Sequence, residues 1–235
     1  MCVRSKFKGE MGTERLEEVG KRPRKQAIQD LAGKDLRVAV TVPSFCGSWP
    51  FEFGTCLSNM VQHFQASEYE GEHRIQVFAH GGRVIPEVRH RLIGTAIDWE
   101  ATHILMITPE FTFPEDSIHR MLSRGRAIIG INYLRNIVSG EYSAYRGGAT
   151  VKPDPVFPET EEVDGVSIGM VLFNTPVFDV LDLPFFENKQ INDTPGFYED
   201  FVPFWKQCKK KKIPCVIDHE LSKDVRSLYH GELWH

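Results

Sequence analysis

A single carboxylate, Glu110, stands just past the end of a short apolar run, residues 104–107 (Ile-Leu-Met-Ile). That run is long enough for a buried strand and too short for a helix. Thr108-Pro109 closes it, since a proline cannot donate to a sheet ladder. Pro114-Glu115-Asp116 follows, with the residue types that a helix first turn favours. An acid on a strand-to-helix loop, at the carboxyl edge of a parallel sheet, is where open α/β proteins bind ligands. Taken without context, the same segment is a polar loop with one acid in it.

Other reactive residue types are weaker candidates. Glu199 and Asp200 are adjacent in a presumed helix first turn, so they point about 100° apart and only one would face a site. Both would also complement a helix dipole and do nothing else. His230 and His235 read as an untethered chain end. The cysteines, Cys2, Cys46, Cys56, Cys208 and Cys215, are odd in number and never spaced as CxxC, which argues against a disulfide framework or structural zinc. No motif supports a Cys-His nucleophile built on Cys46 or Cys56.

The elements that must position Glu110 show in the hydrophobic pattern. At 235 residues one α/β domain is expected, and a net charge of −4 gives no global field toward nucleic acid or membrane. No apolar run approaches a membrane span, and the start lacks a signal-peptide core, so the expected location is cytoplasmic. Residues 1–35 read as a charged extension broken by Pro23, and residues 36–235 as the domain. Strands are expected at 37–43, 74–79, 104–107, 127–131, 165–173 and 213–218. Helical faces are expected on Phe53/Leu57/Met60/Phe64, on Val84/Val88/Leu92/Ala96, on Ile118/Met121/Leu122, over 175–180, and on Phe201/Phe204/Trp205/Cys208. Such alternation implies a mainly parallel sheet with helices on both faces, with Val38, Val40, Val77, Leu105, Ile107, Ile128 and Ile129 buried in it. Periodicity is lost over 132–164, apart from a hairpin near 142–151 and an acidic run at 159–164, so that stretch reads as a lid or acceptor loop. The glycines at 165 and 169 mark backbone that something approaches closely.

In this order the pieces resemble the small glycosyltransferases of the GT-A type, related to family 2, that are frequent in phage and bacterial genomes. Residues 38–44 look like the first strand and its Pro43-Ser44 turn, which in that family holds base and ribose, and Phe45 stands where an aromatic packs on the base. Residues 84–90 (Val-Ile-Pro-Glu-Val-Arg-His) resemble a segment ending Ala-Arg-Asn, with Arg89 matching the arginine and His90 replacing the asparagine. Residues 107–114 match the strand end that carries the DxD motif, with Thr108 and Pro109 in its first positions and Glu110 as its surviving acid. Gly196-Phe-Tyr-Glu199-Asp200 resembles the Glu-Asp pair that supplies a catalytic base.

The resemblance implies a Rossmann-like GT-A domain that moves a sugar from a nucleotide diphosphate, such as a UDP-sugar, to a hydroxyl on a glycan, a protein or a modified DNA base. Asp200, with Glu199 second, would be the base. Pro43, Ser44, Phe45, Arg89, Thr108 and Glu110 would hold the nucleotide. Glu110 would be the metal ligand for Mn or Mg, because the diphosphate leaving group gains charge that a cation must stabilise. Without the resemblance, Arg89 is a surface helix arginine. Two other readings stay open at this point: a degenerate binder of nucleotide or glycan, and an unrelated α/β structural or assembly protein.

Overall fold

In strand β1 (Leu36–Ser44), Val38, Ala39, Val40 and Val42 are wholly buried, the unbroken run expected of a strand covered on both faces. The computed structural model describes residues 35–69, 71–136, 138–153, 159–188 and 200–228. The charged extension, apart from Asp35, therefore lies outside the described residues, as do Glu199, His230 and His235.

After β1 come α1 (Phe51–Ala66), β2 (His73–Gly81), α2 (Ile85–Asp98) and β3 (His103–Ile107). β1 pairs in parallel with β2 on one side and β3 on the other. Next are β4 (Phe111–Thr112), α3 (Ser117–Ser123), β5 (Ile128–Gly130) and the short strands β6 (Leu134–Asn136), β7 (Glu141–Tyr142), β8 (Ala144–Arg146) and β9 (Ala149–Thr150). β10 (Thr160–Val163), β11 (Gly165–Val166), β12 (Met170–Asn174) and α4 (Val177–Val180) follow. The last described elements are α5 (Val202–Lys210), β13 (Cys215–Asp218), α6 (His219–Asp224) and β14 (Arg226–Ser227).

The main sheet has seven strands in the order β10-β13-β5-β12-β3-β1-β2. β12 runs antiparallel to β3 and β5, and β10 antiparallel to β13; the other strands share one direction. The fold is thus mixed α/β with a central, mostly parallel sheet. Alternation along β1 sends Val38, Val40 and Val42 to one face, under Phe53, Leu57 and Phe64 of α1 and Ile118 and Leu122 of α3. Ala39 goes to the other face, with Ile93 of α2, Phe178 of α4 and Phe204 and Trp205 of α5. No helix of the described residues is long and apolar enough to cross a membrane.

Several expectations need correction. β1 continues through Pro43 to Ser44, because there it pairs only with β2 and needs no donor toward β3. Val77 is half-buried, since β2 is an edge strand. Pro114, Glu115 and Asp116 precede α3 and do not form its first turn. The acidic run is an edge strand, not a loop. Glu161 is buried against His219 (3.0 Å) and Arg146 (2.6 Å), and Glu159 just before the strand pairs with Arg124, so partners distant in sequence make up for the poor strand propensity of glutamate. Within 132–164, the side chain of buried Asn132 donates to the Val151 carbonyl (2.7 Å) and accepts from the Ala144 amide (2.9 Å). That residue pins the β8–β9 hairpin to the domain.

The close approach marked by the glycines is made by the chain's own aromatics. A Cβ on Gly165 would lie 2.6 Å from the Trp205 ring and 2.5 Å from the Tyr145 hydroxyl. Gly165→Ala should therefore cost about 1–3 kcal/mol through overpacking. Urea denaturation measures it, and an unchanged midpoint would mean that Trp205 does not pack on this strand.

Candidate functional site

β1 has β2 on one side and β3 on the other, so the chain reverses its direction of progress across the sheet between β1 and β3. The crevice outside the carboxyl ends of two such strands is the expected ligand site of an open α/β sheet. Pro43, Ser44 and Phe45 leave β1 there, and Thr108 and Glu110 leave β3 there. Pro43 and Ser44 are buried, whereas Phe45 is 67% exposed. The Ser44 hydroxyl accepts from the Gly47 amide (3.1 Å) and donates to the Ser48 carbonyl (3.0 Å), closing a turn in which Gly47 has a φ of 73°. Gly81 at the end of β2 must also be glycine, because a Cβ would lie 2.8 Å from Gly47 Cα. Ser44 thus acts on the loop itself, and the loop presents Phe45 to solvent.

On the β3 side, the Thr108 amide donates to the Gly169 carbonyl (2.8 Å), with the Thr108 hydroxyl 3.4 Å from the same oxygen. Glu110 is exposed, and its carbonyl accepts from the Leu228 amide (2.8 Å). The backbone on either side of the acid is therefore fixed.

Arg89 and Asp200, 111 residues apart, are brought together as a buried ion pair between Nη1 and Oδ2. Arg89 Nη2 lies 3.4 Å from the Ile168 carbonyl, and the guanidinium sits 5.7 Å from the centre of the Phe186 ring. Its Nε is buried with no hydrogen-bond partner among the described residues. Asp200 lies just before α5 rather than in its first turn. His90 has a defined job. Its Nδ1 is 2.6 Å from the Pro86 carbonyl and so carries the proton, leaving Nε2 to accept from the Phe185 amide (2.8 Å). The Glu187 amide donates to the Asp200 carbonyl (3.1 Å). Arg89 and His90 together hold the Phe185–Phe186 pair and Asp200 against α2.

Tyr133 and Arg135 were not singled out from sequence. Both lie just past β5, whose carboxyl end shares the edge with β1 and β3. The Tyr133 ring packs on Phe111 (4.7 Å between centroids) and takes the space a Cβ on Gly169 would need, 2.6 Å away. Burial, then the nearby Glu110 charge, push its phenol up to about 12, so it remains a neutral hydroxyl, bonded to the Ser167 side chain. Arg135 and Arg89 act on that phenol in the opposite direction. The available signal was position after an apolar strand, masked by the loss of periodicity beyond it.

Among the described residues no group of three His, Cys, Asp or Glu side chains gathers to hold a metal ion. The donor set of the described residues does not fit a cation held by the protein alone. Glu110 could give one carboxylate to a cation whose other ligands came from diphosphate and water.

Known structures share this architecture. A197 from STIV matches with a TM-score of 0.51 at 14% identity, over 77% of this chain and 81% of that one. A looser likeness is to the nucleoside-diphosphate-sugar pyrophosphorylase from Vibrio cholerae RC9, with a TM-score of 0.45, 8% identity and coverage of 81% and 95%. Another is to the inositol-1-phosphate CTP transferase from T. maritima, at 0.40, 8%, 78% and 85%. The first likeness is one of fold, and the other two are too loose to argue from. No protein-family model and no curated protein matches the chain.

Proposed function

We propose that this chain binds a nucleotide-diphosphate sugar at the crevice between β1 and β3 and transfers the sugar to a hydroxyl acceptor. What supports the reading is that candidate residues follow the ends of both strands flanking the switch point. Phe45 follows one strand flanking the switch point and Glu110 the other, while Arg89 holds Asp200 beneath the turn bonded to Thr108. In the transfer, the acceptor oxygen bonds to the anomeric carbon as the bond to the diphosphate breaks. The acceptor proton passes to a carboxylate. Asp200 is the described candidate, with Oδ2 engaged by Arg89 and Oδ1 left to receive the proton.

A second reading, binding without turnover, is favoured by the 8% exposure of Asp200, which leaves an acceptor little room to reach it. A panel of nucleotide sugars in a thermal-shift assay tests for binding. A ligand at a hundred times its Kd should stabilise the chain by about 2.7 kcal/mol. Release of uridine diphosphate from a stabilising UDP-sugar then separates transfer from binding alone. If no nucleotide or nucleotide sugar raises the melting temperature, the chain is an α/β protein of another function.

A further inference from the structure

Toward the end of the sheet where β2 begins, away from the crevice, imidazoles from three elements gather. His63 comes from α1, His119 from α3, and His73 opens β2. Tyr69 lies flat on the His119 ring (5.4 Å between centroids, 14° between planes). Buried Phe64 touches both His119 (5.6 Å) and His73 (5.8 Å). His63 meets His119 edge to face, with centroids 4.9 Å apart. Within this aromatic box both ring nitrogens of His119 are buried with no hydrogen-bond partner among the described residues. A neutral imidazole has one donor and one acceptor, so a buried ring that satisfies neither calls for a water or an ion.

Spacing favours the ion. A metal about 2.1 Å from one nitrogen of each ring stands about 3.2 Å from each ring centre, and a near-tetrahedral angle then sets the centres about 5 Å apart. His63 and His119 already have that separation. Glu115 Oε1 lies 3.8 Å from His63 Nδ1, so the carboxylate favours the proton there and leaves Nε2 as the electron-pair donor. Burial, then the His63 charge, lower the proton affinity of His119, with Asp116 opposing and His73 adding to the effect. Both rings are thereby held in the form that binds metal.

We propose that His63 and His119 form a two-histidine site for a borderline divalent ion such as zinc, nickel or copper, with water in the remaining positions. No third His, Cys, Asp or Glu among the described residues joins them, so the site is open and its ion exchangeable, unlike a closed structural centre. Imidazole donors select such ions over magnesium and calcium, which prefer oxygen. The ion fastens α1 to α3. These helices follow the loops that carry Phe45 and Glu110, so it fixes the roots of both loops without entering the crevice. The inference stands apart from the nucleotide reading.

The test is calorimetric titration of the full chain, stripped with chelator, with zinc chloride and with magnesium chloride. The wild type should bind one zinc at this site, and magnesium should not displace it. Glu115→Gln should weaken zinc binding by about tenfold, the lower range for a group that orients a metal-bound histidine, and His63→Asn and His119→Asn should each weaken it further. Glu110→Gln should leave it unchanged. Cobalt bound in place of zinc should lack thiolate charge-transfer absorption, which separates this site from binding at exposed Cys46. If His119→Asn does not melt like the wild type, His63→Asn, at a side chain 39% exposed, carries the test alone.

Zinc bound equally by wild type and His63→Asn, or bound with a thiolate signature, overturns the proposal. So does a wild type that takes up no zinc, in which case a buried water serves the His119 ring.

Discussion

Replacing Arg89 with methionine is expected to lower the unfolding free energy by about 3–5 kcal/mol, because it leaves the Asp200 carboxylate buried without its cation. The two side chains are 8% and 11% exposed, so little water is at hand to take over. The Coulombic gain of such a pair barely exceeds its desolvation cost, but removing one partner keeps the cost and loses the gain. The double variant Arg89→Met/Asp200→Leu should accordingly recover most of the loss. Urea denaturation of the four proteins closes the cycle, with an expected coupling of about 2 kcal/mol or more against about 0.5 for independent sites. Additive losses would mean that the groups do not sense each other, and that Phe185, Phe186 and Asp200 are held against α2 by something else. The same proteins bear on function. A double variant that folds and still binds uridine diphosphate makes the pair a frame for the site, whereas one that folds and does not bind makes it part of the ligand contact.

That pairing was out of reach from the sequence, although both partners could be nominated. Arg89 and Asp200 were each picked out by local order, but contact between residues 111 apart depends on how α2 and the approach to α5 pack on one sheet face. What was legible is what local physics writes into the chain. β1 and β3 are buried on both faces and so read as unbroken apolar runs, while α1 shows a single apolar stripe, Phe53, Leu57, Met60 and Phe64. β10 was illegible for the converse reason: Glu161 is buried in a strand because Arg146 and His219 arrive from elsewhere, and Glu159 just before it is met by Arg124. Tyr133 and Arg135 were hidden differently. Tyr133 precedes, and Arg135 lies on, the short strand β6, whose order comes from Asn132 and from hairpin pairing, neither of which leaves a period in the sequence. The Thr108–Glu110 strand end could be placed because a proline after an apolar run is a local signal. Its keying to the 167–169 turn is a tertiary fact.

Acid should weaken this same strand before it weakens the rest of the chain. Burial pushes His103, the first residue of β3, from an ordinary imidazole value of 6.5 down to about 4. Folding therefore favours the neutral ring, while the unfolded chain takes up a proton freely below about pH 6.5. The sign follows directly: the stabilisation is complete above pH 6.5, falls as the pH drops from 6.5 toward 4, and is gone below the folded value. A displacement of that size corresponds to about 3 kcal/mol, which the partial exposure of His103 trims toward 2. His119 is shifted in the same direction, first by burial and then by the His63 charge, so it adds to the loss in the same window. Unfolding free energies measured by urea between pH 7.5 and 4.5 should therefore slope downward. His103→Asn, which carries no charge at any of these pH values, should show a shallower slope than wild type even if its stability at pH 7.5 is lower. Parallel slopes would mean that His103 is protonated as easily in the folded chain as in the unfolded one. The consequence for the site lies at the other end of the strand. β3 is five residues long, and pairing with β1 and β12 holds both His103 and the Thr108–Glu110 edge. Nucleotide affinity should then decline through the same pH window in wild type and be preserved further into acid in His103→Asn.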